Sequence, residues 1–242
     1  MKNRPKRSFK YAFLLRICKL IHLQKVMEMP PEKIQRLFEK NNKGVVIPPL
    51  QDAGIRIKQK TVSGSSCLFY HHKGGSNRIC IYLVGGGMLQ YPKAKQVREV
   101  LGLAKETGRD FVLPYYPLVY TGHTLPDVYR MIYDLYKELL EAYSPENIAF
   151  LGSSSGANLA LGMISYINDR GEGLPMPEKV YAGSPGSLLI TEEEKKKAVL
   201  LDQTDVIMSQ KATASVWEGM TGGKNVPDYM ESLQLGDYTG LK

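Results

Sequence analysis

The sequence predicts an α/β fold in which a mostly parallel central sheet is flanked by helices. Three observations carry this reading. Short apolar runs rich in β-branched residues alternate with helical periodicities from Ile55 onward. The pentapeptide Gly152-Ser153-Ser154-Ser155-Gly156 stands between the apolar run Ile148–Leu151 and the helix-forming stretch Ala157–Leu161. Three consecutive glycines, Gly85 to Gly87, follow the run Ile79–Val84, which has the length and composition of a buried strand. Strands separated by helices at this spacing pair in parallel, because each crossover helix returns the chain to the end of the sheet from which the previous strand started.

The elements follow in order. Lys2 to Arg7 is basic and Tyr11–Leu15 apolar, as a signal peptide begins, but Arg16 and Lys19 interrupt the run, which is too short to span a bilayer. The spacing of Phe13, Ile17, Leu20 and Ile21, with Lys10, Lys19 and Lys25 among the polar positions, predicts one amphipathic helix from near Ser8 to Met27, ended by Pro30-Pro31. An interfacial membrane helix with weak surface contact is the rival reading of the same residues. A second helix is predicted over Glu32 to Glu39, with Ile34, Leu37 and Phe38 on one side, before Pro48-Pro49 leads into the sheet.

Alternation in Ile55–Lys58 and around Val62 predicts a first strand, and Cys67–Tyr70 a second. Gly74–Asn77 is a turn, and the strand Ile79–Val84 follows. Helices are predicted around Ala94 to Thr107 and from Pro126 to Tyr143, on either side of a strand at Phe111–Leu113. Val128, Ile132, Leu135 and Leu139 form a core stripe on the second of these helices. The helix after the pentapeptide runs to about Asn168. Gly171–Pro175 then breaks the chain before a strand at Lys179–Ala182. Glu192–Lys197 reads as a solvated helix face with favourable charge pairs, and Val206 to Met220, with Trp217, as additional covering structure.

The pentapeptide is G-x-S-x-G in the setting that gives it meaning. A serine on a sharp strand-to-helix turn needs glycines two residues either side, where side chains would strike the neighbouring strand and helix. Ser154 is therefore the candidate nucleophile. Attack on an acyl carbonyl builds charge on oxygen, which preorganised N–H donors must meet. Gly85 to Gly87 lie at the carboxyl end of their strand, where open α/β sheets bind ligands; an ordinary flexible turn is the alternative for them.

With both motifs in place, the chain resembles the α/β-hydrolase fold, in its hormone-sensitive-lipase-like branch of esterases, from about Ile55 to the last residue. The resemblance takes in Val84-Gly85-Gly86-Gly87, Tyr116-Pro117-Leu118, His123 to Pro126, the pentapeptide, Ser184-Pro185, and the stretch from Pro227-Asp228-Tyr229 to Gly240-Leu241. Val84 replaces the family's usual histidine, and Ser153 and Ser155 replace its more usual elbow neighbours; neither change removes a backbone donor. The resemblance implies a serine hydrolase of carboxylic esters with short to medium acyl chains. Ser154 would form an acyl-enzyme, and the N–H groups of Gly86, Gly87 and Ser155 would form the oxyanion hole. Met88 and Leu89 are candidates for lining the substrate pocket, with plain core as an equal reading. Residues 1–50 would form an N-terminal helical cap segment and residues 51–242 the hydrolase core.

The histidines are misplaced for this family. In α/β-hydrolases the triad runs Ser, acid, His along the chain, whereas His22, His71, His72 and His123 all precede Ser154. The expectation is a chain truncated before the strands that carry the acid and the histidine, and hence weak or no activity, with a catalytically dead small-molecule binding protein as the alternative. His71 and His72, being adjacent, would point to opposite faces of a strand and read as surface polarity. With Cys67 and Cys80 they form no zinc spacing, so no metal is assigned, and no cofactor is called for. The odd set Cys18, Cys67 and Cys80 suits a reducing, cytoplasmic setting. A net charge of +8 and a pI of 9.2 raise nucleic acid as a partner, but the basic residues are spread out and no nucleic-acid-binding motif appears. A small-molecule ester is the expected partner.

Overall fold

The computed structural model describes residues 8–39, 42, 52–119 and 121–242; the basic run at 2–7 and the Pro48-Pro49 lead-in lie outside them. Among the described residues six strands are present: β1 Ile55–Val62, β2 Ser65–His72, β3 Ile79–Leu83, β4 Asp110–Pro114, β5 Ile148–Ser153 and β6 Lys179–Gly183. The described helices are α1 Phe9–Leu20, α2 Leu23–Met27, α3 Pro31–Glu39, α4 Ala94–Thr107, α5 Leu125–Leu140, α6 Ser155–Arg170, α7 Glu192–Asp202, α8 Gln210–Thr221 and α9 Asp228–Glu231.

The strands form one mixed sheet in the order β1-β2-β4-β3-β5-β6. β1 and β2 form an antiparallel hairpin through Ser63-Gly64, and β2 is antiparallel to β4; β4, β3, β5 and β6 run parallel. β3 and β4 are buried along their whole length, as central parallel strands covered on both faces must be. The chain steps outward from β3 to β4 and then crosses back to β5 on the other side of β3. This reversal places the carboxyl ends of β3 and β5 side by side, the position at which open α/β sheets hold ligands.

Local signals explain the helix positions. α5 starts at a reciprocal capping box in which the Thr124 N–H donates to Asp127 Oδ2 at 2.8 Å, and it buries the predicted stripe of Val128, Ile132, Leu135 and Leu139. α7 starts at a second box, Thr191 with Glu194, and carries Lys195–Glu192 and Lys197–Glu193 pairs on its solvated face.

The predicted single helix over Ser8–Met27 is two helices. The chain turns at Ile21-His22, with His22 in the left-handed region at φ 48°. α1 buries none of its residues, so no packing holds a continuous rod, whereas α2 packs on α8. Gln24 Nε2 donates to Asp202 O at 3.1 Å and to Met208 O at 3.4 Å, Ser209 Oγ to Glu28 Oε1 at 2.6 Å, and Ser215 Oγ to Met29 O at 2.8 Å. These bonds fix the direction of α2 and leave α1 projecting.

His71 and His72 also differ from expectation. Their rings do not diverge as surface polarity; both turn onto Asp110, with Nδ1 of His71 at 2.8 Å from Oδ2 and Nδ1 of His72 at 3.0 Å from Oδ1. The register that pairs Tyr70 with Phe111 sets the end of β2 beside the start of β4, where the strand alternation no longer separates them. The His72 N–H and Tyr143 hydroxyl complete the set at 2.9 Å each. Burial opposes the charged Asp110 carboxylate, but bonds from His71, His72 and Tyr143 together outweigh it and hold the carboxyl at about 2. A lowered acid pKa stabilises the fold above the ordinary carboxylate value and loses that contribution as pH falls toward 2. Asp110→Asn is therefore expected to cost about 2 kcal/mol at neutral pH in urea denaturation, with the difference from wild type closing at acid pH. A deficit unchanged at acid pH would assign the loss to packing instead.

Candidate active site

The strand-to-helix turn between β5 and α6 holds Ser154 at φ 53° and ψ −124°. Such a conformation costs a non-glycine residue about 1–3 kcal/mol and persists only where its surroundings impose it. The Ser154 N–H donates to Gly183 O at 2.9 Å, and Ser154 O accepts from Ala157 N at 2.9 Å and Asn158 N at 3.1 Å. A Cβ on Gly152 would lie 2.1 Å from Gly156 O, and one on Gly156 would lie 2.0 Å from Leu83 O. The flanking glycines are thus required by close backbone approach of the turn to itself and to β3. Ser154 is exposed while Ser155 beside it is buried.

The glycine loop rests on this turn. A Cβ on Gly85 would stand 2.6 Å from Ser153 O. Gly86, Gly87 and Met88 have φ of 121°, 65° and 58°, so the backbone after β3 coils through left-handed geometry. The Tyr116 hydroxyl donates to Val84 O at 2.7 Å, Val119 N to Met88 O at 3.3 Å, and Asn42 Nδ2 to Leu89 O at 2.7 Å, tying the loop down at three points. Ser155 opens α6, where first-turn N–H groups have no helix carbonyl to bond and the helix dipole favours negative charge.

A cavity of about 360 Å³ opens over the two motifs. Gly87, Met88, Ser154 and Ser155 form its floor; Asn158, Ser184, Gly186 and Ser187 form one wall; Met27 of α2, Met208, and Thr213, Val216, Trp217 and Met220 of α8 form the mostly apolar rest. Among the candidates, Ser154, Ser155, Gly87 and Met88 therefore share one cavity. Gly86 and Leu89 are not among the lining residues: a Cβ on Gly86 would lie 2.6 Å from Gln90 Nε2, and Leu89 is buried beside Gly87. Met88, Ser154 and Ser184 are three of the five non-glycine residues with positive φ among the described residues, so backbone strain concentrates at this cavity.

Asn158 has no role in the sequence-based expectation, and α8 lies within Val206 to Met220, expected there only as covering structure. Asn158 is 3% exposed; its Oδ1 accepts from Gly186 N at 2.6 Å and its Nδ2 donates to Gly186 O, which fixes the wall that follows β6. An asparagine in the first turn of an otherwise apolar helix was the available signal. Which α8 residues face the cavity depends on how α8 packs against α2, which no local pattern encodes.

None of the four histidines lines this cavity among the described residues. His71 and His72 sit at the end of β2, bonded to Asp110 at the start of β4, the opposite end of the sheet from Ser154. His123 lines a separate cleft with Ser63, Tyr91 and Tyr115, and His22 another beside Asp202–Val206. Burial pushes the Cys67 and Cys80 thiols up to about 12, which removes them as nucleophiles. No group of three or more His, Cys, Asp or Glu that could hold a metal occurs among the described residues. Asn158→Ala is expected to lower stability by about 1–3 kcal/mol by orphaning both Gly186 backbone groups; an unchanged thermal midpoint would show that the loop holds its place without it.

The profile of the alpha/beta hydrolase fold matches residues 80–242. An esterase of Acinetobacter venetianus is 30% identical over 146 residues, covering 60% of this chain and 44% of that protein. A triacylglycerol lipase of Mycobacterium tuberculosis is 26% identical over 140 residues, covering 57% of this chain and 32% of that protein. The matched stretch thus spans less than half of either curated relative. In three dimensions the chain is similar to an esterase from the bacterial hormone-sensitive lipase family, with a TM-score of 0.69, 23% identity, and coverage of 98% of this chain and 76% of the other; this likeness shows the fold. With two thirds of its length matched by the family profile, the chain belongs to the alpha/beta hydrolase fold family.

Proposed function

We propose that this protein is a serine hydrolase of carboxylic esters with short to medium acyl chains, acting through an acyl-enzyme on Ser154. The observation that carries the reading is the exposed Ser154, held in a strained strand-to-helix turn on the same cavity as Gly87 and Ser155. Ser154 Oγ attacks the ester carbonyl carbon, and the carbonyl π pair moves to oxygen, where the N–H groups of Gly86, Gly87 and Ser155 meet it. Collapse re-forms the carbonyl and breaks the bond to the alcohol oxygen, which leaves with the proton given up by Ser154; water then adds to the acyl carbon, the bond to Ser154 Oγ breaks, and the carboxylic acid leaves as a water proton returns Ser154 to its hydroxyl form. The apolar cavity lies at the small end of ligand pockets and suits a short to medium acyl chain. In this reading α2 of segment 1–50 covers, through Met27, a pocket built on the core of 51–242.

Deprotonating a serine requires a base. The described residues bring no histidine to the cavity, so turnover by these 242 residues alone is weak in this proposal. The same observation favours a second reading, a binding protein that holds a small ester or acid without turnover.

Hydrolysis of p-nitrophenyl butyrate is expected to be slow and to fall by at least about a hundredfold in Ser154→Ala, which also loses a fluorophosphonate adduct in intact-mass measurement. Equal rate or labelling in the variant would contradict the proposal. Trp217 is the only tryptophan and lines the cavity, so its fluorescence reports on occupancy. Octanoic acid is expected to change that emission saturably in wild type and in Ser154→Ala alike. Binding with neither labelling nor turnover would establish the second reading.

A further inference from the structure

We propose that α1 and the end of α7 form a docking face for an anionic phospholipid bilayer, beside the cavity that holds Ser154. α1 buries no residue: Phe9 is 87% exposed and Leu20 78%, with Phe13, Leu14 and Ile21 also exposed. Exposed apolar side chains along a helix that buries none of its residues mark a surface that is covered by something else. The second half of the face belongs to α7 and the segment after it, where Leu200 is 67% exposed and Leu201 63%, with Val199 and Ile207 also exposed.

The two halves are neighbours. Gln24, three residues beyond Ile21, donates to Asp202 O and Met208 O, and Lys19 shares a cleft with Gln203 and Thr204. Met27 and Met208, which continue from these two segments, both line the Ser154 cavity. The exposed apolar residues thus border the cap side of the cavity.

Charge selects the occupant. Residues 1–27 contain Lys2, Arg4, Lys6, Arg7, Lys10, Arg16, Lys19 and Lys25 and no aspartate or glutamate. Segments of this kind attract anionic lipid headgroups, with long basic side chains reaching outward from an apolar helix. A second copy of the chain would bring two wholly basic segments together, which repel. No described helix is long and apolar enough to cross a membrane, so α1 would lie in the interface plane.

The test is flotation of the whole chain with phosphatidylcholine vesicles, with and without about 30% phosphatidylglycerol. Binding to the anionic vesicles is expected to exceed binding to neutral ones by at least about tenfold and to weaken as NaCl rises from about 0.1 to about 0.5 M. The pairs Phe9→Ser with Leu20→Ser and Leu200→Ser with Leu201→Ser are each expected to reduce binding by about tenfold, while Ser154→Ala binds as wild type. That last comparison separates this inference from the ester-hydrolase reading. Failure to float, equal binding to both vesicles, or wild-type binding by both pairs would overturn the proposal. So would self-association, seen by sedimentation velocity and abolished by the same pairs, in protein that does not float.

Discussion

The close approach of Gly156 to the carbonyl of Leu83 is the contact on which the candidate site depends. It seats the first turn of α6 directly on the end of β3, and the 2.0 Å clearance for a hypothetical side chain leaves room for glycine alone. Because α6 starts there, the residue before it must turn through positive φ, and that residue is Ser154. The same seating presses the elbow against Gly85, so the glycine loop and the serine share one wall of backbone. The conformational cost at Ser154 is offset by the helix and sheet bonds on both sides of it.

Around this point the fold arranges three kinds of support. The order β4-β3-β5 makes the two motif-bearing strands neighbours. Asn158 and the Ser154–Gly183 bond bind the loop after β6 to the elbow. α2 and α8 then close the apolar side, held to one another by hydrogen bonds between Gln24, Glu28 and Met29 and the Asp202–Ser215 stretch. The candidate motif thus lies at the floor of a cavity whose walls are side chains of other elements.

Much of this was legible in the sequence, for identifiable reasons. Strands such as Ile79–Leu83 and the helix Ala94–Thr107 are local signals, and the G-x-S-x-G carries its own steric logic, so these elements were read within a residue or two. What escaped reading depends on residues distant in the chain. The break at His22 follows from what α2 packs against, not from the periodicity of 8–27. The convergence of His71 and His72 follows from the register between β2 and β4, which brings in Asp110 from nearly forty residues away. The cavity lining of Trp217 and Met220 requires the cap to be in place.

The central claim, that the elbow presents Ser154 to the backbone donors of the glycine loop, is tested most directly by a crystal structure of the protein after prolonged exposure to diethyl p-nitrophenyl phosphate. The account predicts density continuous from Ser154 Oγ to phosphorus, with the phosphoryl oxygen within hydrogen-bonding distance of the Gly87 and Ser155 N–H groups. An adduct on another residue, or a phosphoryl oxygen turned away from both donors, would contradict it.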